Sequence, residues 1–493
     1  MSRSAGLVRA SSFQGAARAM SLGLQAVQFA ILARLLAPTN LGYYVAALAL
    51  FGIAGAIGEF GLVQTTLLDL HRRRGQERAV VVASGLGAAI LGLGSLCVAA
   101  VFTIAFLPHG VRFPALVLVP AFVVVRAQVP LVALRQHRLE FVRLAGAELA
   151  GRAVAVLVLT PLALGVVHFG ASAIFLGAGL STFLGAVITV GALATRLGVR
   201  TASAPRLTDA RRLVREAVPL GLANASSVVH MRVDQVILAA LGISAGLAAY
   251  GVAYRVLDAA LALVTAVGVV TLPHLVRASG DDRVVIAVRV ERLLMGLALL
   301  VGVAAFAVAP LAVNVLGGGR YPEAGWYVRL LCPALVISVM NLGYAQIAIV
   351  VGRARALLGI SLGAVAANVV LNLVLVPRLG VRGSIMATLV TEAVGVALVA
   401  VLADRTLNGT LRPHLMVSVV GGFSLACFGG LAAWRAGGVG LAAAPVLVGA
   451  LAASWPLIRR PTVRRTLSHT LHNPLGGRRP LCGERPRIGI PSR

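Results

Sequence analysis

Charged side chains inside long apolar runs are the residues of this chain best suited to bind a ligand. The richest run, SSVVHMRVDQVILAAL, carries His230, Arg232 and Asp234 near its middle. A charge in a bilayer core costs about 2.5–3.5 kcal/mol on insertion scales, so it usually faces a cavity or a partner. His230 and Asp234 are four residues apart and share a helix face, whereas Arg232 and Asp234 do not face each other. Arg232 therefore needs another partner, either an interhelical salt bridge or an anionic ligand such as a pyrophosphate.

Three further charges in apolar runs have no clear partner nearby in the sequence. Arg126 lies in the middle of a run beside Gln128, far from any acid in the sequence, and is the strongest candidate for a cavity cation. Arg18 lies near the start of the first run, where it either lines the cavity or extends to the lipid headgroups. Glu59 is a candidate for binding a coupling cation or a proton, and capping a helix end is the alternative.

Other polar residues in the runs favour structural roles. Glu148 and Arg152 are four residues apart with the acid first, which is the favoured order for an ion pair within one helix. We expect this pair to neutralise itself close to the cytoplasmic surface. Asn341, Asn368 and Asn372 are expected to make interhelical hydrogen bonds in preference to substrate contacts, and the last two share one helix face.

The composition requires a solvent other than water for most of the surface. Only 12% of the 493 residues are charged, whereas soluble domains carry about 25%, and the mean hydropathy is +0.93. The apolar runs are continuous and about 20 residues long, which predicts membrane-spanning helices and not the alternating strands of a barrel. The net charge of +28 comes entirely from arginine and falls mainly in loops, so it does not indicate a nucleic-acid partner.

An internal repeat predicts two related halves. Residues 31–44 and 237–250 share six of fourteen positions at an offset of 206 residues, which is typical of duplicated transporter lobes. The predicted fold is an all-α polytopic membrane bundle of about fourteen helices, with two parallel six-helix lobes and two additional C-terminal helices. The spans are expected at 13–35, 42–66, 80–106, 114–134, 145–166, 171–194, 217–241, 247–273, 293–315, 327–350, 357–376, 384–403, 415–434 and 438–457.

Arginine is concentrated in alternate loops, which predicts the orientation. Such residues favour the cytoplasmic side, so both termini are expected in the cytoplasm of a bacterial cell, with the chain passing repeatedly through its inner membrane. The last segment is rich in Arg, Pro and Gly and is predicted to be disordered. The expected organisation is an N-terminal lobe at 1–195, a cytoplasmic linker at 196–216 and a C-terminal lobe at 217–404. Two additional spans follow at 405–457 and a basic tail at 458–493.

The sequence lacks the features that several classes of function require. The chain has no GxxxxGK[ST] loop for ATP, and its predicted outside loops are too short to hold a catalytic domain. The four cysteines have no metal-binding or disulfide spacing, so neither a metal nor another cofactor is expected. These features predict a secondary transporter and not an enzyme. Transport would be driven by an ion gradient or the membrane potential, or would be facilitated.

Four segments in order resemble one family over most of residues 10–400. The polysaccharide-biosynthesis flippases, in the O-antigen (Wzx-type) branch of the multidrug/oligosaccharidyl-lipid/polysaccharide exporter superfamily, have similar segments in the same order. In this chain the segments read ARLLAPTNLGYYVAALAL, RVDQVILAALGISAGLAAYGVAYRV, NVLGGGRYPEAGWYVRLL and VGRARALLGISLGAVAANVVLNLVLVPRLGVRGSIMATLVTE.

The resemblance implies a two-lobed bundle with a central cationic cavity. It also implies translocation of a polyprenyl-pyrophosphate-linked oligosaccharide to the outer leaflet by alternating access, for O-antigen and lipopolysaccharide synthesis. Membrane lipids, a polysaccharide polymerase and glycosyltransferases are the partners implied. The family's motif positions fall on Arg232, Asp234, Tyr250, Tyr254, Asn368 and Asn372, while Ala248 stands where the family has glycine.

Two alternatives within the superfamily remain open. A peptidoglycan lipid II flippase also has fourteen helices, although that family is richer in cationic residues in its first two helices. A multidrug/cation antiporter would have twelve helices, and an arginine-lined cavity suits anions better than cationic drugs.

Overall fold

The computed structural model describes residues 2–73, 75–164, 170–195, 207–278, 280–407, 411 and 413–435, although for some residues within helices only the backbone is described. Within these ranges the chain is helical and contains no strand. The helices are α1 (Ser2–Leu35), α2 (Pro38–Glu59), α3 (Leu62–Arg72), α4 (Glu77–Phe106), α5 (His109–Arg126), α6 (Gln128–His137), α7 (Phe141–Ala163), α8 (Ala171–Ala194), α9 (Leu207–Ala240), α10 (Ser244–Arg277), α11 (Gly280–Gly317), α12 (Pro322–Val350), α13 (Ala354–Leu379), α14 (Val381–Thr406) and α15 (Pro413–Arg435).

The predicted fold class is confirmed as a multi-pass helical membrane bundle. Each predicted span up to 415–434 coincides with a helix or a pair of consecutive helices, while the span 438–457 and the tail 458–493 lie outside the described residues. By length and composition, eight helical spans in the described part of the chain can cross a membrane. Only 22% of the most apolar window of α4 and 17% of that of α13 are buried inside the protein, so these helices face lipid.

Two predicted spans are each interrupted by a local break. The span 42–66 divides into α2 and α3 at Phe60 and Gly61, whose φ angles are 39° and 71°. Glycine suits this left-handed backbone, and a Cβ atom at Gly61 would lie 2.9 Å from the backbone nitrogen of Gly221. The break therefore occurs where α9 crosses closely. The span 114–134 divides into α5 and α6 at a kink beside Arg126.

The helices form two lobes, with α2 on the boundary between them. In the N-terminal lobe (α1–α8), α8 packs on α5 and α7, and α1 packs on α7; in the C-terminal lobe (α9–α14), α12 packs on α10, α11 and α14. Helix α2 packs on α4 and α5 of its own lobe and also on α9 and α10 of the other. The lobes therefore meet along α2, α9 and α10.

Ion pairs join the lobes at the arginine-rich end of the bundle. Residues 207–216, at the end of the predicted linker, form the first turns of α9. Arg212 donates to Asp69 of α3 over 2.7 Å, and Arg73 donates to Asp209 over 3.1 Å. The hydrogen bond to Asp69 raises the pKa of Arg212 despite partial burial. Because these pairs connect α3 to α9, they hold the lobes together at this end.

Glycine permits the closest approach between the lobes at the opposite end. A Cβ atom at Gly42 of α2 would lie 1.8 Å from the carbonyl oxygen of Ser244 at the start of α10. Further along α10, a Cβ atom at Gly251 would lie 2.7 Å from a methyl carbon of Val45. Both positions are therefore filled by the facing lobe, and we call this contact the glycine seam.

Substitution of Gly42 by alanine tests the glycine seam. The Cβ atom of Gly42→Ala overlaps the α10 backbone, so we expect stability to fall by about 1–3 kcal/mol or more, as in overpacked interiors. The matched control is Gly52→Ala in the same helix, where no atom lies within 4 Å of the added Cβ. Thermal unfolding of purified protein should show a lower midpoint for Gly42→Ala and an unchanged or higher one for Gly52→Ala. Equal midpoints for the two variants would contradict this description of the seam.

Candidate functional site

Arginines from both lobes meet at the lobe boundary. The guanidinium of Arg255 on α10 lies 4.8 Å from the ring centroid of Phe29 on α1, in a cation–π contact that joins the lobes. Arg255 is also within electrostatic range of Asp258 on the same helix, of Arg232 on α9 and of Arg152 on α7. We call Arg152, Arg232 and Arg255 the interlobe arginine cluster. Tyr44 of α2 adds a hydroxyl group within the same electrostatic range.

The interlobe arginine cluster carries more positive charge than its acids neutralise. Arg232 donates to Asp258 of α10 over 2.9 Å, so the interhelical salt bridge considered for this arginine is present. Among the described residues, neither Arg152 nor Arg255 has a carboxylate oxygen within 4.0 Å. The two guanidinium groups therefore form no direct salt bridge among the described residues, although Asp258 lies within electrostatic range of Arg255.

Asp234 has its hydrogen-bonding needs met inside the C-terminal lobe. Its side chain is 1% exposed and accepts hydrogen bonds from Tyr250 over 2.5 Å, from Tyr254 over 3.0 Å and from the Gln235 backbone over 2.7 Å. Two of these three donors, Tyr250 and Tyr254, belong to α10, so they hold α9 against α10. The structure thus places the predicted site residue Asp234 in a local network with Tyr250.

His230 faces a small internal cavity and not the lobe boundary. Its Nε2 atom lies 3.3 Å from Glu392 of α14. A cavity of about 50 Å³ adjoins this pair and is also lined by Asp258 and Thr388. His230 and Asp258 therefore line one cavity, while Arg232 contacts Asp258 through the salt bridge.

Arg126 is held within the N-terminal lobe. It donates to the carbonyl oxygen of Gly55 over 2.8 Å and stacks over the Phe122 ring at 4.7 Å. Glu59 lies within electrostatic range, so neither residue is as isolated as the sequence indicates. A cavity of about 480 Å³ adjoins Arg126 between α4 and α5–α6. Arg126 lines this cavity, and its contacts are to its own lobe and do not include Arg232.

The predicted ion pair between Glu148 and Arg152 does not form. Among the described residues, Glu148 instead accepts a hydrogen bond from Ser21 of α1 over 2.8 Å. This bond ties α7 to α1, and Arg152 is left at the lobe boundary. The prediction was wrong because helical spacing allows a pair without accounting for a neighbouring helix. The side chain of Arg18 lies outside the part of the chain that the structure describes.

The predicted asparagines lie apart from the interlobe arginine cluster. Asn368 is fully buried and donates to Thr391 of α14 over 3.0 Å, which is an interhelical bond. Asn372 donates to the Asn368 side chain over 3.0 Å, so the two do share a face. The Oδ1 atom of Asn341 is buried without a hydrogen-bond partner among the described residues. Contacts between helices account for Asn368 and Asn372.

Arg255 and Asp258 were not identified from the sequence. Both lie inside the predicted span 247–273, and Arg255 lies in the quoted segment GVAYRV. The criterion applied to Arg126, a charge in an apolar run, applies equally to them. Their proximity to Arg152 depends on how the helices pack, and the residues that flank Arg255 and Asp258 in the sequence do not predict that packing.

The described helices and their charged lobe boundary define a multi-pass helical membrane protein with a transporter fold. Three solved structures share this fold. A lipid II flippase MurJ in an inward closed conformation matches with a TM-score of 0.69 at 11% identity, over 90% of this chain and 97% of that one. An inward-facing multidrug resistance MATE family transporter of the MOP superfamily matches with a TM-score of 0.61 at 16% identity, over 80% of this chain and 96% of that one. A mutant of the Vibrio cholerae MATE transporter VcmN matches with a TM-score of 0.54 at 14% identity, over 83% of this chain and 98% of that one.

The chain belongs to the polysaccharide biosynthesis protein family, whose sequence profile matches residues 7–279, more than half of the chain. This finding confirms the family resemblance of the sequence. The solved relatives show the fold alone, because all three are under 25% identical. No curated protein sequence matches the chain. The solved relatives are a flippase and two transporters.

The hydrogen bonds around Asp234 predict that loss of the Tyr254 hydroxyl lowers stability more than loss of the Tyr43 hydroxyl. Tyr254→Phe removes one donor from a buried carboxylate, which we expect to cost about 1.5–3 kcal/mol of stability. Tyr43→Phe is the control, because Tyr43 makes no hydrogen bond among the described residues. Thermal unfolding in detergent measures both variants. The description of this network fails if Tyr254→Phe unfolds at the same temperature as Tyr43→Phe.

Proposed function

We propose that this protein is a flippase for a polyprenyl-pyrophosphate-linked oligosaccharide in cell-surface polysaccharide synthesis. The observation that carries the proposal is the interlobe arginine cluster, in which Arg152 and Arg255 have no carboxylate partner among the described residues. Family membership supports the same class of cargo. The substrate would cross from the cytoplasmic to the outer leaflet by alternating access of the two lobes, without ATP hydrolysis.

A pyrophosphate fits the charge and donor geometry of the cluster. Guanidinium groups bind phosphate oxygens through paired N–H donors, and these bonds strengthen where water is excluded. In this proposal Arg152 on one lobe and Arg255 on the other bind the pyrophosphate together. The Asp258 carboxylate keeps Arg232 in place beside them. The sugar chain would occupy the polar interior while the polyprenyl tail stays in the bilayer.

The proposal places the protein in the bacterial cell membrane with both termini in the cytoplasm. The arginine-rich loops support this orientation, since such loops are retained on the cytoplasmic side. Glycosyltransferases would supply the lipid-linked substrate there, and a polymerase would consume it at the outer surface. O-antigen, and with it lipopolysaccharide, is the polymer that the sequence resemblance favours.

A peptidoglycan lipid II flippase is the second candidate function. The MurJ structure, with a TM-score of 0.69, supports it through fold alone. The two candidates share a polyprenyl-pyrophosphate group and differ in the attached saccharide, so the interlobe arginine cluster serves either. A multidrug/cation antiporter suits the cluster less well, because unpaired guanidinium groups repel cationic drugs.

Removal of charge from the cluster tests the proposed function. We expect Arg152→Gln and Arg255→Gln each to abolish polymer export in a deletion strain, because a pyrophosphate loses a charge-assisted donor. Membrane abundance should remain normal, and the lipid-linked glycan should accumulate. Arg378→Gln is the control, since Arg378 is exposed at a helix end and makes no polar contact among the described residues.

The saccharide on the accumulated lipid distinguishes the candidates. A polymer repeat unit supports the polysaccharide flippase, whereas lipid II identifies the peptidoglycan flippase. Normal export by both cluster variants would overturn the role of the cluster in cargo binding.

A further inference from the structure

A second arginine-lined cavity lies at the end of the bundle opposite the interlobe ion pairs. It is an open groove of about 500 Å³. Helix α1 of one lobe and the α11–α12 connection of the other form its walls. The lining residues are Arg34, Asn314, Val315, Gly317, Gly318 and Arg320. We call it the α1–α11 pocket.

Each lobe caps a helix end of the other at this pocket. Arg34 donates to the carbonyl oxygen of Val315 over 2.5 Å, near the end of α11. In return, Arg320 donates to the carbonyl oxygen of Arg34 over 2.6 Å, and the Tyr321 hydroxyl donates to that of Ala33 over 2.9 Å. Burial raises the pKa of Tyr321 to about 12, so its hydroxyl keeps the donated proton. The last carbonyl groups of both helices thus receive partners from the facing lobe.

The α1–α11 pocket is positively charged and has spare donors. No acidic residue is among those that line it, and neither arginine has a carboxylate oxygen within 4.0 Å in the part of the chain that the structure describes. A guanidinium group carries five N–H donors, and the carbonyl bonds use only some of those on Arg34 and Arg320. The remaining donors are available to an anion in the pocket.

The internal repeat shows that the pocket is confined to one face of the bundle. The repeat places Ala240 at the position equivalent to Arg34, so the second lobe has no corresponding cation. The other face is closed at the glycine seam, where Gly42 meets Ser244 without space for a side chain. The α1–α11 side therefore combines space with positive charge, whereas the glycine seam leaves no space between the lobes.

We propose that the α1–α11 pocket binds the phosphate group of a lipid phosphate ester through Arg34 and Arg320. A phosphate has the acceptor oxygens that two guanidinium groups require, and both arginines are exposed at a helix end. The ligand is either the pyrophosphate of the cargo as it leaves or the headgroup of a bulk anionic phospholipid. Release of the cargo here rests on the proposed function. Separation of α1 from α11 would break the carbonyl caps and free more donors for the anion.

Arginine modification by phenylglyoxal tests this site at the level of single residues. The full-length protein is placed in phosphatidylcholine nanodiscs, and modification is followed by mass spectrometry with and without inorganic pyrophosphate. We expect pyrophosphate to slow modification of Arg34 and Arg320 by roughly tenfold, in line with charge-assisted hydrogen bonding. The rate at exposed Arg378 should not change. Lack of protection, or equal protection of Arg378, would overturn the site.

Two variants separate anion binding from the capping of helix ends. Tyr321→Phe removes a cap without removing charge, so pyrophosphate protection should persist. Arg320→Gln removes a charge while leaving an amide donor, so protection of Arg34 should be lost. Loss of protection in both variants would instead assign the arginines to lobe closure alone and overturn the proposal.

The source of the phosphate is decided by changing the lipid. Protection by pyrophosphate in neutral nanodiscs supports release of the cargo through the pocket. If phosphatidylglycerol protects but pyrophosphate does not, the ligand is a bulk headgroup and the release role is wrong. Protection should also persist in Arg255→Gln, because the pocket is separate from the interlobe arginine cluster. If pyrophosphate does not protect Arg34 and Arg320 but Arg255→Gln still abolishes export, the pocket is wrong and the proposed function remains intact.

Discussion

The cost of uncompensated charge in a bilayer governs how this protein is built. Asp234 is surrounded by three donors, Arg232 is paired with Asp258, and Arg126 binds a backbone carbonyl group of its own lobe. Each of these polar groups finds a partner within one lobe, as a low-dielectric environment requires. Arg152 and Arg255 differ because they come from different lobes and have no carboxylate partner among the described residues. An anionic cargo would neutralise the positive charge that remains at the lobe boundary.

The two ends of the lobe boundary are closed by different chemistry. Ion pairs such as that between Asp69 and Arg212 join α3 to α9 at the arginine-rich end. Backbone carbonyl caps from Arg34 and Arg320 join α1 to α11 at the opposite end. Along the other face, Gly42 brings α2 and α10 into direct contact. In the alternating access proposed for this protein one end opens at a time, and these unlike contacts would provide separate closures for the two membrane surfaces.

The sequence predicts the fold more completely than the site. Continuous apolar runs determine the spans, but the break at Gly61 follows from the close approach of α9, which no local pattern reports. The charge criterion located Arg232 and would have located Arg255. Which charges become paired depended on packing: Glu148 binds Ser21, and Arg152 is left at the lobe boundary. Helical spacing describes neighbours on one helix and says nothing about those on the next.

A structure with bound cargo is the most direct test of the central claim. The measurement is a cryo-electron microscopy map of the full-length protein with a polyprenyl-pyrophosphate-linked saccharide. The account predicts pyrophosphate density between α7 and α10, within hydrogen-bonding distance of Arg152 and Arg255. Density for the pyrophosphate beside Arg126, in the cavity between α4 and α5–α6, would contradict it, because the cargo would then bind one lobe and leave the interlobe arginine cluster unused.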